Sequence, residues 1–254
     1  MQLTILGAGS SAGTPVIGCK CNTCTSSNPR NIRSRCSSIV TLDTGETILI
    51  DTGPDLRAQA LREGMTRVDA VLYTHTHADH LHGIDDLRSF CQLNRHQIPL
   101  YTYQKAVEHI QSKFGYTLRE PCDFWDLPVL GIKAIDAPFD LFGTKITPIP
   151  VMHGRIQIFA YRIGNIAYMT DVSSIPASSF ALLKDLDVLL IDCLRAEKHP
   201  THINIEQSLD YVSQINAKQS VLIHMTHELE YEALTQKLPK NVAVGYDGMK
   251  IKAS

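Results

Sequence analysis

The sequence predicts an α/β protein, a single domain in which two sheets are flanked by helices. Three observations support this. Short apolar runs of strand character recur along the 254 residues. Helical patterns fall between several of them. The length suits one large α/β domain with a sizeable core, and no stretch reads as a linker, a short-period repeat or a low-complexity segment.

The elements follow in order. The runs "LTILGAG", "SSIVTLD" and "ETILID" read as strands, because each is a short apolar stretch of β-type residues. A helical pattern covers Pro54–Glu63, and the strand "DAVLYTH" comes next. Helices are expected over His80–Asn94 and Gln104–Phe114. "KITPIPVMH", "IFAYRIG" and "IAYMTD" read as strands, Pro176–Lys184 as a helix, and "DVLLID" as a strand. The pattern Asn204–Ile215 begins with a residue suited to an N-cap, and Gln207 is placed as its reciprocal partner. The strand "SVLIH" and a helix over Tyr231–Leu238 complete the reading.

Composition narrows the functional classes. A net charge of −2 offers no bulk electrostatic attraction to nucleic acid or membranes. No run approaches the ~18 apolar residues of a membrane span. "MQLTILGAGSS" has neither the basic start nor the apolar stretch of a signal peptide, so a cytoplasmic location is expected. Thiols stay reduced there, and seven cysteines, an odd number, also count against a disulfide framework.

Chemistry-capable residues gather at strand ends. His75 ends "AVLYTH", His153 ends "TPIPVMH", Asp171 ends "AYMTD", Asp192 ends "LLID" and His224 ends "VLIH". One histidine after a strand is ordinarily a hydrogen-bonded core or surface residue. Five polar groups at separate strand ends are better explained by a site, since rigid strands aim side chains while loops leave space above them. The densest segment is "THTHADHLHG". Imidazole and carboxylate are ligands for zinc, iron and manganese. On an extended segment His75 and His77 point the same way and can face one metal. Asp79 and His80, where the chain turns into a helix, can face another.

This segment resembles the defining motif of the metallo-β-lactamase superfamily. The resemblance implies an αββα sandwich and a two-metal hydrolytic centre at the sheet edge. It implies that His153 completes the first metal site with His75 and His77, that Asp171 bridges both metals, and that His224 completes the second site with Asp79 and His80. Asp51 in "LIDTG" matches a carboxylate that orients a metal-binding histidine. A bridging aspartate in place of cysteine resembles the phosphodiesterase, lactonase and glyoxalase branches. Two divalent ions, zinc or manganese, would hold a bridging hydroxide as nucleophile. Asp79 counts among the catalytic groups as well as the ligands, and His82 has no ligand role in the pattern.

"IGCKCNTC" places Cys19, Cys21 and Cys24 close together in a polar segment, which reads as a zinc site rather than a buried apolar cluster. Cys36, Cys91, Cys122 and Cys193 are explained as core residues. A histidine is expected as fourth ligand. His96 and His109 fall on helical patterns, whereas His227 and His199 stay open. The combination resembles the PhnP-type cyclic phosphodiesterases, which implies a structural zinc held by the three cysteines and His227, in a clip loop at about 18–36.

"HPTHINIEQS" places His202 ahead of a helix. It matches the family's "THxxxxEA"-like segment in part, with Gln207–Ser208 standing where Glu–Ala is usual. By that resemblance His202 contacts phosphate and protonates the leaving oxygen, a task suited to imidazole. "HGIDDLRSF" is also family-like, so Asp85 and Arg88 are expected near the pocket mouth. The expected function is hydrolysis of small cyclic phosphodiesters, 2′,3′-cyclic nucleotides or a ribose cyclic phosphate. The alternatives are a lactone, ester or thioester hydrolase, tRNA 3′-end processing, and a non-catalytic metal-binding protein. The tRNA enzymes carry a basic inserted arm that this sequence lacks, so the expected partner is a small molecule and not a large nucleic acid. A homodimer is left open.

Overall fold

The computed structural model describes residues 1–118 and 129–253. Two seven-stranded mixed sheets pack face to face. The first contains β1 (Gln2–Gly7), β2 (Ser37–Thr41), β3 (Thr47–Ile50), β4 (Ala70–Leu72), β5 (Ile98–Thr102) and β6 (Leu130–Ala134). The second contains β7 (Phe139–Leu141), β8 (Thr144–His153), β9 (Ile156–Ile163), β10 (Ile166–Met169), β11 (Val188–Asp192), β12 (Gln219–Ile223) and β13 (Val242–Val244). The chain then returns to the first sheet as β14 (Lys250–Lys252), antiparallel to β1. The two sheets share one plan. Antiparallel neighbours run from β14 to β3 and from β7 to β10, and parallel neighbours from β3 to β6 and from β10 to β13.

The strand period of two explains why the central runs are apolar throughout. In β3, Ile48 and Ile50 join the core between the sheets, while Leu49 joins a second core under the helices. A strand covered on both faces has no solvent side on which to place polar residues. Helices α1 (Leu56–Glu63), α3 (Leu87–Asn94) and α4 (Gln104–Phe114) cover the first sheet through Leu56, Ala60, Leu87, Phe90 and Ile110. Helix α5 (Ile205–Ile215) and the short α6 (Tyr231–Thr235) pack Val212, Ile215 and Leu234 on the other core. The reciprocal cap of α5 forms as expected, with Gln207 N–H donating to Asn204 Oδ1 and Asn204 N–H to Gln207 Oε1, both at 3.1 Å.

Three helix expectations need correction. His80–Asn94 is not continuous: α2 (Ala78–Leu81) is followed by a 3-10 turn at Ile84–Asp86 and then α3. The break lies at Gly83, whose N–H donates to Thr52 O (2.7 Å) instead of continuing the helix. Pro176–Lys184 is a 3-10 segment, Ala177–Leu183, tightened by Ser179 N–H donating to Pro176 O at 2.9 Å. His96 lies beyond the end of α3, not on a helix, with Nε2 3.2 Å from Val68 O. Cys36, Cys91 and Cys193 are buried as expected, and Cys122 lies outside the described residues. Among the described residues no helix is long and apolar enough to cross a membrane.

Candidate metal centre

The expected residues converge at one edge of the two sheets. His75, His77, His153 and Asp171 present ligand atoms that lie within 4.8 Å of one another, and so do Asp79, His80, Asp171 and His224. Asp171 belongs to both groups. Its Oδ2 lies 3.1 Å from His80 Nε2 and 3.4 Å from His224 Nε2, and its Oδ1 lies 3.9 Å from His75 Nε2. Nearly all of these side chains are buried, and His77 alone is exposed.

The local backbone explains how the chain brings them together. Asp51, Asp171 and His224 follow β3, β10 and β12 with φ of 61°, 58° and 61°. Left-handed geometry disfavours residues with a Cβ by about 1–2 kcal/mol each, and such strain clusters at functional sites. The loop after β3 is pressed against the histidine segment. Thr52 N–H donates to His80 O at 2.7 Å, and a Cβ at Gly53 or Gly83 would stand 2.2 Å from Asp79 O or 2.1 Å from Gly53 O. The glycines of "DTG" and "HLHG" are therefore required by close backbone approach.

For His75, His80 and His153, hydrogen bonds fix which ring nitrogen is bare. Thr74 Oγ1 donates to Asp51 Oδ2 (2.7 Å), so it accepts from His75 Nδ1 (3.0 Å). His80 Nδ1 donates to Asp51 Oδ2 at 2.7 Å, and His153 Nδ1 donates to Thr201 O at 2.9 Å. In each case Nε2 is left to face the cluster. The buried Nε2 atoms of His75, His80 and His224 have no hydrogen-bond partner, although carboxylate oxygens stand close to the last two. Nitrogen lone pairs and carboxylate oxygens converging without hydrogen bonds form a donor set that fits divalent cations. Charge agrees with this. Burial pushes the His75 imidazole well down, towards its neutral form. Against the same burial, Asp171 holds His80 and His224 well above the usual imidazole range. The site draws positive charge to those nitrogens, where a proton and a metal ion compete.

Asp192 and Thr74 carry roles that the sequence did not disclose. Asp192 is fully buried, accepts the Val172 N–H (2.9 Å), and accepts from His202 Nδ1 through Oδ2 (2.9 Å). Its Oδ1 lies 3.6 Å from His224 Nδ1. The carboxylate therefore orients His202, whose Nε2 is 3.9 Å from Asp171 Oδ1, and stands beside the candidate ligand His224 without a hydrogen bond to it. Its position at the end of β11 was the visible signal.

Cys19, Cys21, Cys24 and His227 form a second cluster, again with ligand atoms within 4.8 Å of one another. His227 Nδ1 lies 3.4 Å from Cys19 Sγ and 3.2 Å from Cys21 Sγ, across more than 200 residues of sequence. The interaction with His227 lowers the Cys21 thiol from 9.0 to about 6, towards the thiolate that binds metals. His199 is not in this cluster; its Nδ1 accepts from Thr201 N–H (3.4 Å) and its ring centroid lies 5.3 Å from that of His202. Asp85 and Arg88 form an exposed ion pair at 2.8 Å, and His82 packs edge-on to Phe114.

Comparison with known proteins agrees with the geometry. Residues 46–225 match the family model described as the β-lactamase superfamily domain. A solved diphosphatase of the PhnP family superposes with a TM-score of 0.92 and 39% identity, covering 100% of this chain and 98% of that one. Zn(2+)-bound PqqB from Methylobacterium extorquens superposes at 0.80 with 19% identity over the full length of both chains, a likeness of fold. An octanoyltransferase from Porphyromonas gingivalis is 38% identical over 255 residues, which is 98% of this chain and 51% of that protein. The chain thus spans about half the length of that curated relative. From the family match, the near-complete PhnP-family likeness and the His/Asp cluster at the sheet edge, it follows that this chain belongs to the metallo-β-lactamase superfamily, in its PhnP family.

Proposed function

We propose that the chain is a phosphodiesterase acting on small cyclic phosphodiesters, with 2′,3′-cyclic nucleotides or a ribose cyclic phosphate as the substrate class. The observation that carries this reading is the Asp192–His202 pair beside the two donor sets, which supplies a proton donor outside either set. In this reading His75, His77 and His153 hold one divalent ion, Asp79, His80 and His224 hold a second, and Asp171 serves both. When bound, such ions make water acidic enough to supply a nucleophile near neutral pH and offset charge on the phosphoryl oxygens. Asp51 fixes His80 directly and His75 through Thr74, so these rings are oriented before any substrate arrives. Asp192 keeps a proton on His202 Nδ1. The proton for the leaving alkoxide therefore departs from His202 Nε2, on the side facing Asp171.

The octanoyltransferase relative favours one second reading, acyl-ester or thioester chemistry on the same centre. A single panel separates the two. Zinc- or manganese-loaded protein is assayed on bis(p-nitrophenyl) phosphate, 2′,3′- and 3′,5′-cyclic nucleotides, a lactone and an octanoyl thioester. The 2′,3′-cyclic nucleotide is expected to exceed the acyl substrates by about 10²-fold or more in kcat/KM. Faster turnover of the thioester than of every phosphodiester would replace the proposal with the acyl reading.

The cysteine cluster is read as a structural zinc clip. Cys21→Ser is expected to lose about one equivalent of zinc and to lower the melting temperature, because binding energy at such a site is folding energy. Activity per folded molecule should fall less than in variants of Asp171. Metal analysis of the wild type showing no cysteine-bound zinc would remove the clip.

A further inference from the structure

Arg33 is a large charged side chain buried where the proposed hydrolytic chemistry has no use for it. It is 1% exposed. Its guanidinium donates to the carbonyls of Arg30 (3.4 Å), Thr226 (3.2 Å) and Leu229, and to Asn31 Oδ1 (3.2 Å). All four acceptors are neutral. Asp247 and Glu230 act on it only through longer-range attraction. Burial pulls the guanidinium down to about 10, which still leaves it charged at neutral pH. Among the described residues no anion touches the guanidinium directly, and Asp247 and Glu230 offset its charge only from a distance.

The cysteine cluster lies on the same segments. Thr226 and Leu229, which accept from Arg33, bracket His227. Arg33 pairs with Thr14 through both backbone groups at 2.8 Å, and two residues further on Val16 N–H donates to Cys24 Sγ at 3.3 Å. Cys24 attracts Arg33 as well, after Asp247 and Glu230. Three thiolates outweigh one divalent ion by a single negative charge, and a neutral imidazole does not change that.

We propose that Arg33 is the buried counter-cation of the Cys19–Cys21–Cys24–His227 cluster, neutralising the charge the cluster carries with a divalent ion bound while holding the turn that presents His227. This rests on the reading of the cluster as a metal clip. It also gives the clip a route to the hydrolytic site, since the turn held by Arg33 begins two residues after His224. Arg33 is a positioning residue in this account and touches no substrate.

The test uses the full-length apo protein titrated with cobalt(II) and then with zinc. The thiolate-to-cobalt charge-transfer band reports the clip separately from the histidine–carboxylate sites, which contain no sulfur ligand. Arg33→Gln, which keeps hydrogen bonding and removes the charge, is expected to weaken the clip's zinc affinity by about 10–100-fold. Arg33→Lys, which keeps the charge, is expected to stay close to wild type. Wild-type affinity in Arg33→Gln, or equal losses in both variants, would overturn the role of the charge. If Arg33→Gln does not fold, the lysine variant decides: wild-type affinity upholds the proposal and a weakened clip defeats it. Absence of the band in the wild type would overturn the clip itself, and Arg33's role with it.

Discussion

Asp171→Asn is expected to abolish nearly all hydrolysis and to lower the bound metal by about one equivalent or more. Asparagine is the informative choice, because Asp171 sits at φ 58° and asparagine tolerates that region better than alanine does. The variant therefore removes charge with little change of shape or backbone strain. Asp171 is the one carboxylate common to both donor sets, and its oxygens face His75, His80 and His224. Against its burial, these three imidazoles hold its carboxyl well below the usual carboxylate range, so it is an anion in the folded protein. Two cations held by these donor sets would need an anion shared between them. A metal centre supplies several kcal/mol of transition-state stabilisation, and each 1.36 kcal/mol is tenfold in rate, so the loss should reach about 10³-fold or more. Asp171→Ala should show the same loss of activity with an added loss of stability. Full metal content and wild-type turnover in Asp171→Asn would end the two-metal reading.

The parts legible in the sequence were those dictated by short-range physics. The nine short apolar runs became strands, since a strand buried in a sheet between apolar layers has no side on which to place polar residues. The candidate ligands stood out because they follow those runs directly. The shorter strands were not legible. Pro99 interrupts the run that forms β5, β6 contains a glycine and is only partly buried, and β7, β13 and β14 are three-residue strands defined by pairing with distant segments. The same limit applied to the site. Nothing local to Asp192 shows that it bonds to His202 and reaches towards His224. Thr74 lies inside the histidine motif, yet its link between Asp51 and His75 exists only after β3 and β4 pair. The helix break at Gly83 was hidden for a related reason, since it depends on Thr52, a loop residue 31 positions earlier. Side chains at strand ends could be read singly, whereas the hydrogen bonds that orient them are tertiary contacts.

His202→Ala carries the second large expectation, and its size should depend on the leaving group. The imidazole is anchored through Nδ1 to Asp192, stacks on His224 at 4.9 Å and 12°, and turns Nε2 towards Asp171 Oδ1. It is the cleaner target of the pair, because changing Asp192 would also disturb His224. A ribose oxygen leaves poorly as an alkoxide, and loss of a general acid costs about 10²–10⁴-fold. p-Nitrophenolate is stable as the anion and departs without a proton. His202→Ala should therefore lose about 10²–10⁴-fold on a 2′,3′-cyclic nucleotide and much less on bis(p-nitrophenyl) phosphate, with metal content unchanged. The measurement is kcat for both substrates on one metal-loaded preparation, alongside metal analysis. Equal losses on the two would reduce His202 to phosphate binding. Loss of a metal equivalent would make it a ligand, in which case the Asp192–His202–His224 group, whose ligand atoms also lie within 4.8 Å of one another, would have to be read as part of the metal centre instead of as its proton donor.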